Sequence, residues 1–364
     1  MVVSTHKDSD TLAFLQGTTG ATHSIEYLRQ RAMQCKRRIV LTDGEDPRIL
    51  AALREVERDS NLEFILVGQT SVLLPHVRHM SARNQIEIYN PLRDKRQAHL
   101  EQLLCAQFEK RQKPLPDAAT LSRMALDSTY IGALLLKAGL ADGMVGGANV
   151  PTATVIRAGL RVVGVDPANP VVSGAFIMLL SERLPAGQNA LVFADAAVIP
   201  QPTAEQLASI TLNTAGITRS ILGQDPVVAL LSFSTRGSSE DPSITKMMSA
   251  LQLVRQQAPE LCVDGEMQLD AALIPEISAS KAPGNAVAGR ANVLIFPNLD
   301  ASNIAYKLVE RVGHATALGV ILSGLAMPIN DLSRGCSVDD VMNMIAVTAL
   351  QSTATDESYL LSAR

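Results

Sequence analysis

The chain has 364 residues, a net charge of −4, 47% hydrophobic side chains, 3% aromatics and no tryptophan. That is enough apolar sequence to build two α/β units, and it argues against extended disorder. No long basic run marks a nucleic-acid footprint, and no stretch of about 18 apolar residues could cross a bilayer.

The segment 1–23 is polar and rich in Thr and Gly, and is expected to be an N-terminal extension without a signal core. Strands and helices then alternate. "RRIVLTDG" (Arg37–Gly44) reads as a strand ending in a turn, and "DPRILAALREVERD" as a helix with Asp46 as N-cap and Pro47 at its first position. "LEFILVG" and "IEIYN" are further strands. "ADGMVGGAN" (Ala141–Asn149) is a strand end opening into a small-residue loop. "PTATVIRAGLRVVG" has a helical pattern, with Ile156, Leu160 and Val163 expected on one face and Arg157 and Arg161 elsewhere.

From about Pro170 the pattern changes. "PVVSGAFIMLL" and "NALVFADAAV", joined by the turn-rich "SERLPAGQ", permit an antiparallel pair. Helix, strand and polar loop follow in "PTAEQLASITLNTAGITRSIL" and "PVVALLSFSTRGSS". "ITKMMSALQLVRQQAP", "LCVDGEMQ", "NVLIFPNLD" and "ASNIAYKLVERVG" complete a second alternating unit. Such alternation predicts mostly parallel sheets covered by helices, with ligands outside the carboxyl ends of the strands.

Several chemistries lack their signatures. "MVGGANVPTA" has only a glycine pair where a dinucleotide fold needs G-x-G-x-x-G, and no G-x-x-x-x-G-K-[ST] loop exists. His76 and His79 in "HVRH" have metal-like spacing but no supporting acid, and read as surface residues. The four cysteines, Cys35, Cys105, Cys262 and Cys336, lack CxxC spacing and read as reduced thiols of a cytoplasmic protein.

The most informative stretch is "NDLSRGCSVDD" (330–340), ahead of an apolar helical run. Ser337 and Asp340 form an S-x-x-D pair suited to capping a helix start. The same geometry gathers N–H groups, the planar fork of Arg334 and two serine hydroxyls into an anion or oxyanion site, with Asp340 as a candidate base. Cys336 could carry an acyl group, although a small buried structural thiol is the commoner fate of such a residue.

"GLAMPINDLSRGCSVDD" resembles the C-terminal signature of the phosphate acetyltransferase (phosphotransacetylase) family. "ADGMVGGANVPTATVIRAGLRVVG", "FADAAVIPQPTAEQLA", "VALLSFSTRGS" and "VDGEMQLDAALIPEISASKAPGNAVAGRANVLIFPNLDASNIAYKLVERVG" occur in that family's order. The resemblance covers residue 24 to the end. It implies two three-layer αβα domains with mostly parallel sheets and an interdomain cleft, like those of isocitrate and isopropylmalate dehydrogenases. Domain 1 is expected to comprise residues 24–167 plus 322–364, and domain 2 residues 168–321.

The implied reaction is reversible acetyl transfer between acetyl phosphate and CoA, by direct thiolate attack in a ternary complex, in a homodimer. Neither a metal nor a prosthetic group is implied, CoA and acetyl-CoA being substrates. The resemblance places Ser333 at the CoA sulfur and the tetrahedral species, Arg334 on the acyl phosphate, and Asp340 as thiol base. Arg111 and Arg157 match arginines that bind CoA phosphates, and Arg311 one near the reacting phosphate. Ser234 and Thr235 in "FSTRGSS" suit phosphate, and Lys281 in "SKAPG" matches a family lysine.

Two departures bear on mechanism. Ala196 replaces the cysteine of the family's FADCAV, removing a covalent route. Val155 removes a hydroxyl in the region before Arg157, leaving Thr152 or Thr154 to supply one. Phosphate butyryl- or propionyltransferase and a non-catalytic acyl-CoA-sensing domain are the alternatives. Intact Ser333, Arg334 and Asp340 count against the sensing domain.

Overall fold

The computed structural model describes residues 24–362 apart from 57–59 and 82, so the N-terminal segment 1–23 lies outside the described residues. The chain runs α1 (Ile25–Met33), β1 (Arg38–Leu41), α2 (Pro47–Glu55), β2 (Glu63–Val67), α3 (Thr70–Val77) and β3 (Ile86–Tyr89). It continues through α4 (Gln97–Lys110), α5 (Ala118–Leu126), α6 (Ser128–Lys137), β4 (Gly143–Gly146) and α7 (Thr152–Val162). Next come β5 (Ser173–Leu179), β6 (Ala190–Ala194), α8 (Ala204–Ile217), β7 (Val227–Leu231), α9 (Pro242–Gln257) and β8 (Cys262–Met267). The remainder is α10 (Leu269–Leu273), α11 (Pro275–Lys281), β9 (Val293–Ile295), α12 (Leu299–Arg311), β10 (Thr316–Ser323), β11 (Ile329–Asp331) and α13 (Val338–Ser362).

These strands form two sheets. The first has the order β11-β4-β1-β2-β3 and all of its pairings are parallel. The second has the order β10-β5-β6-β9-β7-β8, with antiparallel β10–β5 and β5–β6 pairs ahead of parallel ones. The expected antiparallel pair is therefore β5 and β6. Helices cover both faces of both sheets, the α/β architecture expected from the alternation.

Strand periodicity explains the layering. Ile39, Leu41, Phe64 and Leu66 face one core, which continues through α8, α9 and α13, while Val40, Ile65 and Val67 face the core under α4 to α7. A third core lies beneath α10 to α12 on the outer face of the second sheet. Both faces of the strands are buried, so they read as continuous apolar runs.

The helix α2 starts as expected, with Asp46 accepting from the Arg48 N–H and Pro47 in its first turn. The helix α7 corrects the assignment of its faces. Its buried stripe is Val155, Ala158, Gly159 and Val162, and the expected Val163 at its C-cap is buried too, while Ile156 and Leu160 are only half-buried. The sequence pattern favours those two because small Ala158 and Gly159 carry no strong hydrophobic signal, yet Gly159 lets Ile329 and Leu325 approach.

Between the sheets the chain crosses twice, after α7 and between β10 and β11. The crossings pair through Val165 and Leu325, Asp166 N–H donating to Gly324 C=O at 2.9 Å and Ala326 N–H to Gly164 C=O at 2.9 Å. Gly324 has φ +78°, and a Cβ there would lie 2.0 Å from Val171 O, so only glycine fits the crossing.

Candidate active site

Where β11 ends, the chain turns through Leu332–Ser337 and enters α13, on the floor of a cleft of about 1240 Å³ between the two sheets. That volume suits a long, extended ligand. The first unit contributes Thr152, Asp331, Ser333, Arg334 and Asp340; the second contributes Phe176, Tyr306, Lys307 and Arg311. Phe176 and Tyr306 stack at 4.1 Å between centroids, and Gly319 beneath them leaves no room for a Cβ against Phe176. One wall is thus aromatic and the other polar.

The expected cap is present and reciprocal. Asp340 Oδ2 accepts from the Ser337 N–H at 2.8 Å and its hydroxyl at 2.9 Å, and Asp340 N–H donates to Ser337 Oγ at 3.1 Å. Asp340 Oδ1 makes no hydrogen bond among the described residues, and the residue is exposed in the cleft. Capping therefore occupies one oxygen of this carboxylate and leaves the other open to the cleft. Ser333 Oγ accepts from the Gly335 N–H at 3.2 Å, which leaves its proton to donate elsewhere. The Arg334 guanidinium has no hydrogen-bond or ion-pair partner among the described residues, as an anion site requires.

Sequence reasoning missed the clamp that holds this turn. Arg48 donates from Nη1 to Arg334 C=O at 2.8 Å and to Cys336 C=O at 3.3 Å, and from Nη2 to Ala148 C=O at 2.9 Å and Asp46 Oδ2 at 2.8 Å. Hydrogen bonding from Arg48 holds the Asp46 carboxyl down at about 2. The i, i+2 spacing of Asp46 and Arg48 was visible in the sequence; their partners far along the chain were not. Cys336 beside this clamp is buried, and burial pushes its thiol up against the opposing charge of Arg48, which fits a structural thiol.

Asp331 is the second residue missed. It is 2% exposed, its Oδ2 is hydrogen-bonded with Thr152 Oγ1, and its buried Oδ1 has no partner among the described residues. Burial above all pushes its carboxyl up to about 6, the Thr152 hydrogen bond opposing that rise and the charge of Asp43 adding to it.

The other sequence-selected residues divide. Arg311 and Thr152 line the cleft, Arg311 resting 3.6 Å from Glu310 and largely exposed. Arg157 is exposed on α7, about a turn and a half beyond Thr152. Arg111 ends α4 and donates to Leu160 C=O near the far end of α7. Neither lines the cleft. Ser234 Oγ donates to Glu266 at 2.8 Å, Thr235 Oγ1 accepts from the Gln268 N–H at 3.0 Å, and Lys281 pairs with Asp270 at 2.7 Å. Those three side chains tie their own loops to the second unit. Val155 is fully buried, so a hydroxyl there would face the core, whereas Thr152 supplies one at the cleft. His76 lies 3.3 Å from an Arg54 nitrogen at the surface.

Two α/β units border this cleft, and one turn in it carries an arginine with no partner among the described residues, a serine with a proton to donate and a capped carboxylate. Residues 23–349 match the family described as Phosphate acetyl/butaryl transferase. The phosphate acetyltransferase of Thermoanaerobacterium thermosaccharolyticum is 38% identical over 328 residues, covering 90% of this chain and 99% of its own. The solved phosphotransacetylase of Streptococcus pyogenes gives a TM-score of 0.82 at 35% identity, over 91% of this chain and 99% of that one. The 4-hydroxythreonine-4-phosphate dehydrogenase of Klebsiella pneumoniae covers 88% of this chain and 99% of its own at a TM-score of 0.50, and at 12% identity it shares the fold alone. The chain belongs to the phosphate acetyl/butyryl transferase family.

Proposed function

We propose that this chain is a phosphate acetyltransferase, moving an acetyl group reversibly between acetyl phosphate and CoA. The observation that carries this reading is the convergence of Ser333, Arg334 and Asp340 on one clamped turn in the cleft. Asp340 Oδ1 takes the CoA thiol proton, and the thiolate attacks the acetyl carbonyl. The Ser333 hydroxyl donates to the oxygen that gains charge. Arg334 and Arg311 hold the phosphoryl group, which departs as phosphate. Direct transfer is supported by Ala196 in the FADAAV strand end, which offers no thiol there, and by burial of the Cys336 thiol, whose pKa is pushed up. Acid–base chemistry and anion binding suffice for each step, so the scheme needs no metal or prosthetic group.

Arg157 and Arg111 are assigned to the phosphates of a CoA that extends from the cleft along α7, with Arg111 exchanging its carbonyl contact for the ligand. Ser234, Thr235 and Lys281 are assigned supporting roles in the loops of the second unit. Among the described residues no helix is long and apolar enough to cross a membrane, and the four cysteines are free, which supports work in the cytoplasm. A homodimer is supported by the exposed apolar stripe of Ile304 and Leu308 on α12 and Val312 at its C-cap, 67%, 58% and 68% exposed. A solution mass equal to a single chain would remove that assembly.

The test is consumption of CoA thiol by purified protein given acetyl, propionyl or butyryl phosphate at equal concentration. The expected kcat/KM is highest with acetyl phosphate. A butyryl preference would transfer the chain to the sister activity with the same residues, and CoA binding without turnover would make it a sensing domain.

A further inference from the structure

The buried carboxyl of Asp331 plays no part in the scheme above, yet it forms part of the cleft wall. Its Oδ2 is bonded to the Thr152 hydroxyl, and its Oδ1 is enclosed against Gly147, where a Cβ would fall 2.0 Å from it. Gly147 has φ +97°, so glycine serves both the backbone turn and this close approach. Thr152 opens α7 at the cleft, where no side chain caps the helix start among the described residues and the Thr154 N–H donates to Pro151 C=O at 2.8 Å.

A threonine hydroxyl has one proton. If Asp331 is ionised, Thr152 gives that proton to Oδ2 and turns a lone pair toward the cleft. If Asp331 is protonated on Oδ2, it donates to Thr152, whose own proton is then free for an anionic oxygen. An ionised Asp331 would also leave a charged oxygen buried without a partner, a costly arrangement.

We propose that Asp331 is a positioning residue for the phosphoryl group, acting in its protonated form through Thr152, so that binding of a tetrahedral oxyanion at the start of α7 takes up one proton. This rests on the acyl phosphate reading above. The proton comes from solvent and returns to it on release; no covalent bond changes.

The neighbours fit this division of charge. Asp43, facing Asp331 from the loop after β1, is satisfied as a carboxylate, accepting from the N–H groups of Gly147 at 3.0 Å and Ala148 at 3.3 Å and from the Thr42 hydroxyl at 3.2 Å. The strands β4 and β10 bring no titratable side chain, and α7 brings Arg157 and Arg161 at exposed positions. At the start of α13 stand Asp339 and Asp340, and around the cleft Arg334, Lys307, Glu310 and Arg311. Because the free carboxyl titrates at about 6, the effect is read above that pH.

The experiment measures kcat and KM for acetyl phosphate from about pH 5.5 to about 8.5 in the wild type, Asp331→Asn and Thr152→Val. Above about pH 6 the wild-type KM is expected to rise about tenfold per pH unit, with kcat little affected. The amide of Asp331→Asn can still donate to Thr152 but cannot ionise, so its KM should lose that slope. Thr152→Val should raise KM about tenfold or more and also lose the slope. A wild-type slope retained in Asp331→Asn, or a wild-type KM in Thr152→Val, overturns the proposal.

Titration with inorganic sulfate, which does not itself ionise in this range, separates this proposal from the reading it rests on. Calorimetry in buffers of different ionisation heat at about pH 7.5 should show uptake of about one proton in the wild type and none in Asp331→Asn. That result supports the oxyanion site even if no acyl phosphate is turned over. Sulfate binding without proton uptake, or no sulfate binding, overturns it.

Discussion

Asp340→Asn is expected to lower kcat by about a hundredfold to ten-thousandfold, the usual range for loss of a general base, with the fold unchanged. The amide oxygen can still accept from the Ser337 N–H as Oδ2 does now, so the start of α13 keeps its cap. What disappears is the ability of the free oxygen to take the thiol proton. Asp340→Ala also removes the carboxylate half of the cap, leaving the backbone N–H at 340 on Ser337 Oγ, and should cost up to about 1 kcal/mol of stability in addition. A comparison of the two variants by turnover and thermal melting separates the roles. If Asp340→Asn turns over like the wild type, some other group takes the proton.

Arg334→Ala is expected to lose about a hundredfold to a thousandfold in kcat/KM for acetyl phosphate, the scale associated with removing one donor from a developing charge. The guanidinium has no partner among the described residues while Arg48 anchors its backbone carbonyl, so the side chain can be removed without disturbing the turn. Arg334→Lys should recover only part of the loss, because a point charge cannot reproduce the planar two-pronged contact. Equal rates for Arg334→Lys and wild type would show that charge alone is used. Initial-rate kinetics on the three proteins decide between these.

The residues differ in how legible they were before any coordinates. The S-x-x-D cap at Ser337 and Asp340 was readable because it is local, as was the Asp46–Pro47 start of α2. The β5–β6 pair was readable because a short turn-rich connector joins them. The site's supports were hidden for the opposite reason. Arg48 reaches a turn 286 residues away, and Thr152 meets Asp331 across 179. Strand β10 went unassigned because Gly319 interrupts its apolar run, and its pairing shifts register between Leu318 and Ile321. The polar loop at Ser234 and Thr235 looked open because a sequence cannot show that Glu266 and the Gln268 N–H, on and beside β8, occupy its hydroxyls. The family signature carried the remaining assignments, and pattern alone would have stopped at a two-unit α/β protein with an anion-friendly turn.

The central claim is that the acetyl group passes directly between phosphate and thiol in one cleft. Exchange of isotopically labelled phosphate into acetyl phosphate, measured with and without CoA, tests it most directly. Exchange is expected to require CoA, because direct transfer forms no acetyl-enzyme through which phosphate could exchange. Equally fast exchange without CoA would require an acetyl-enzyme and would contradict direct transfer.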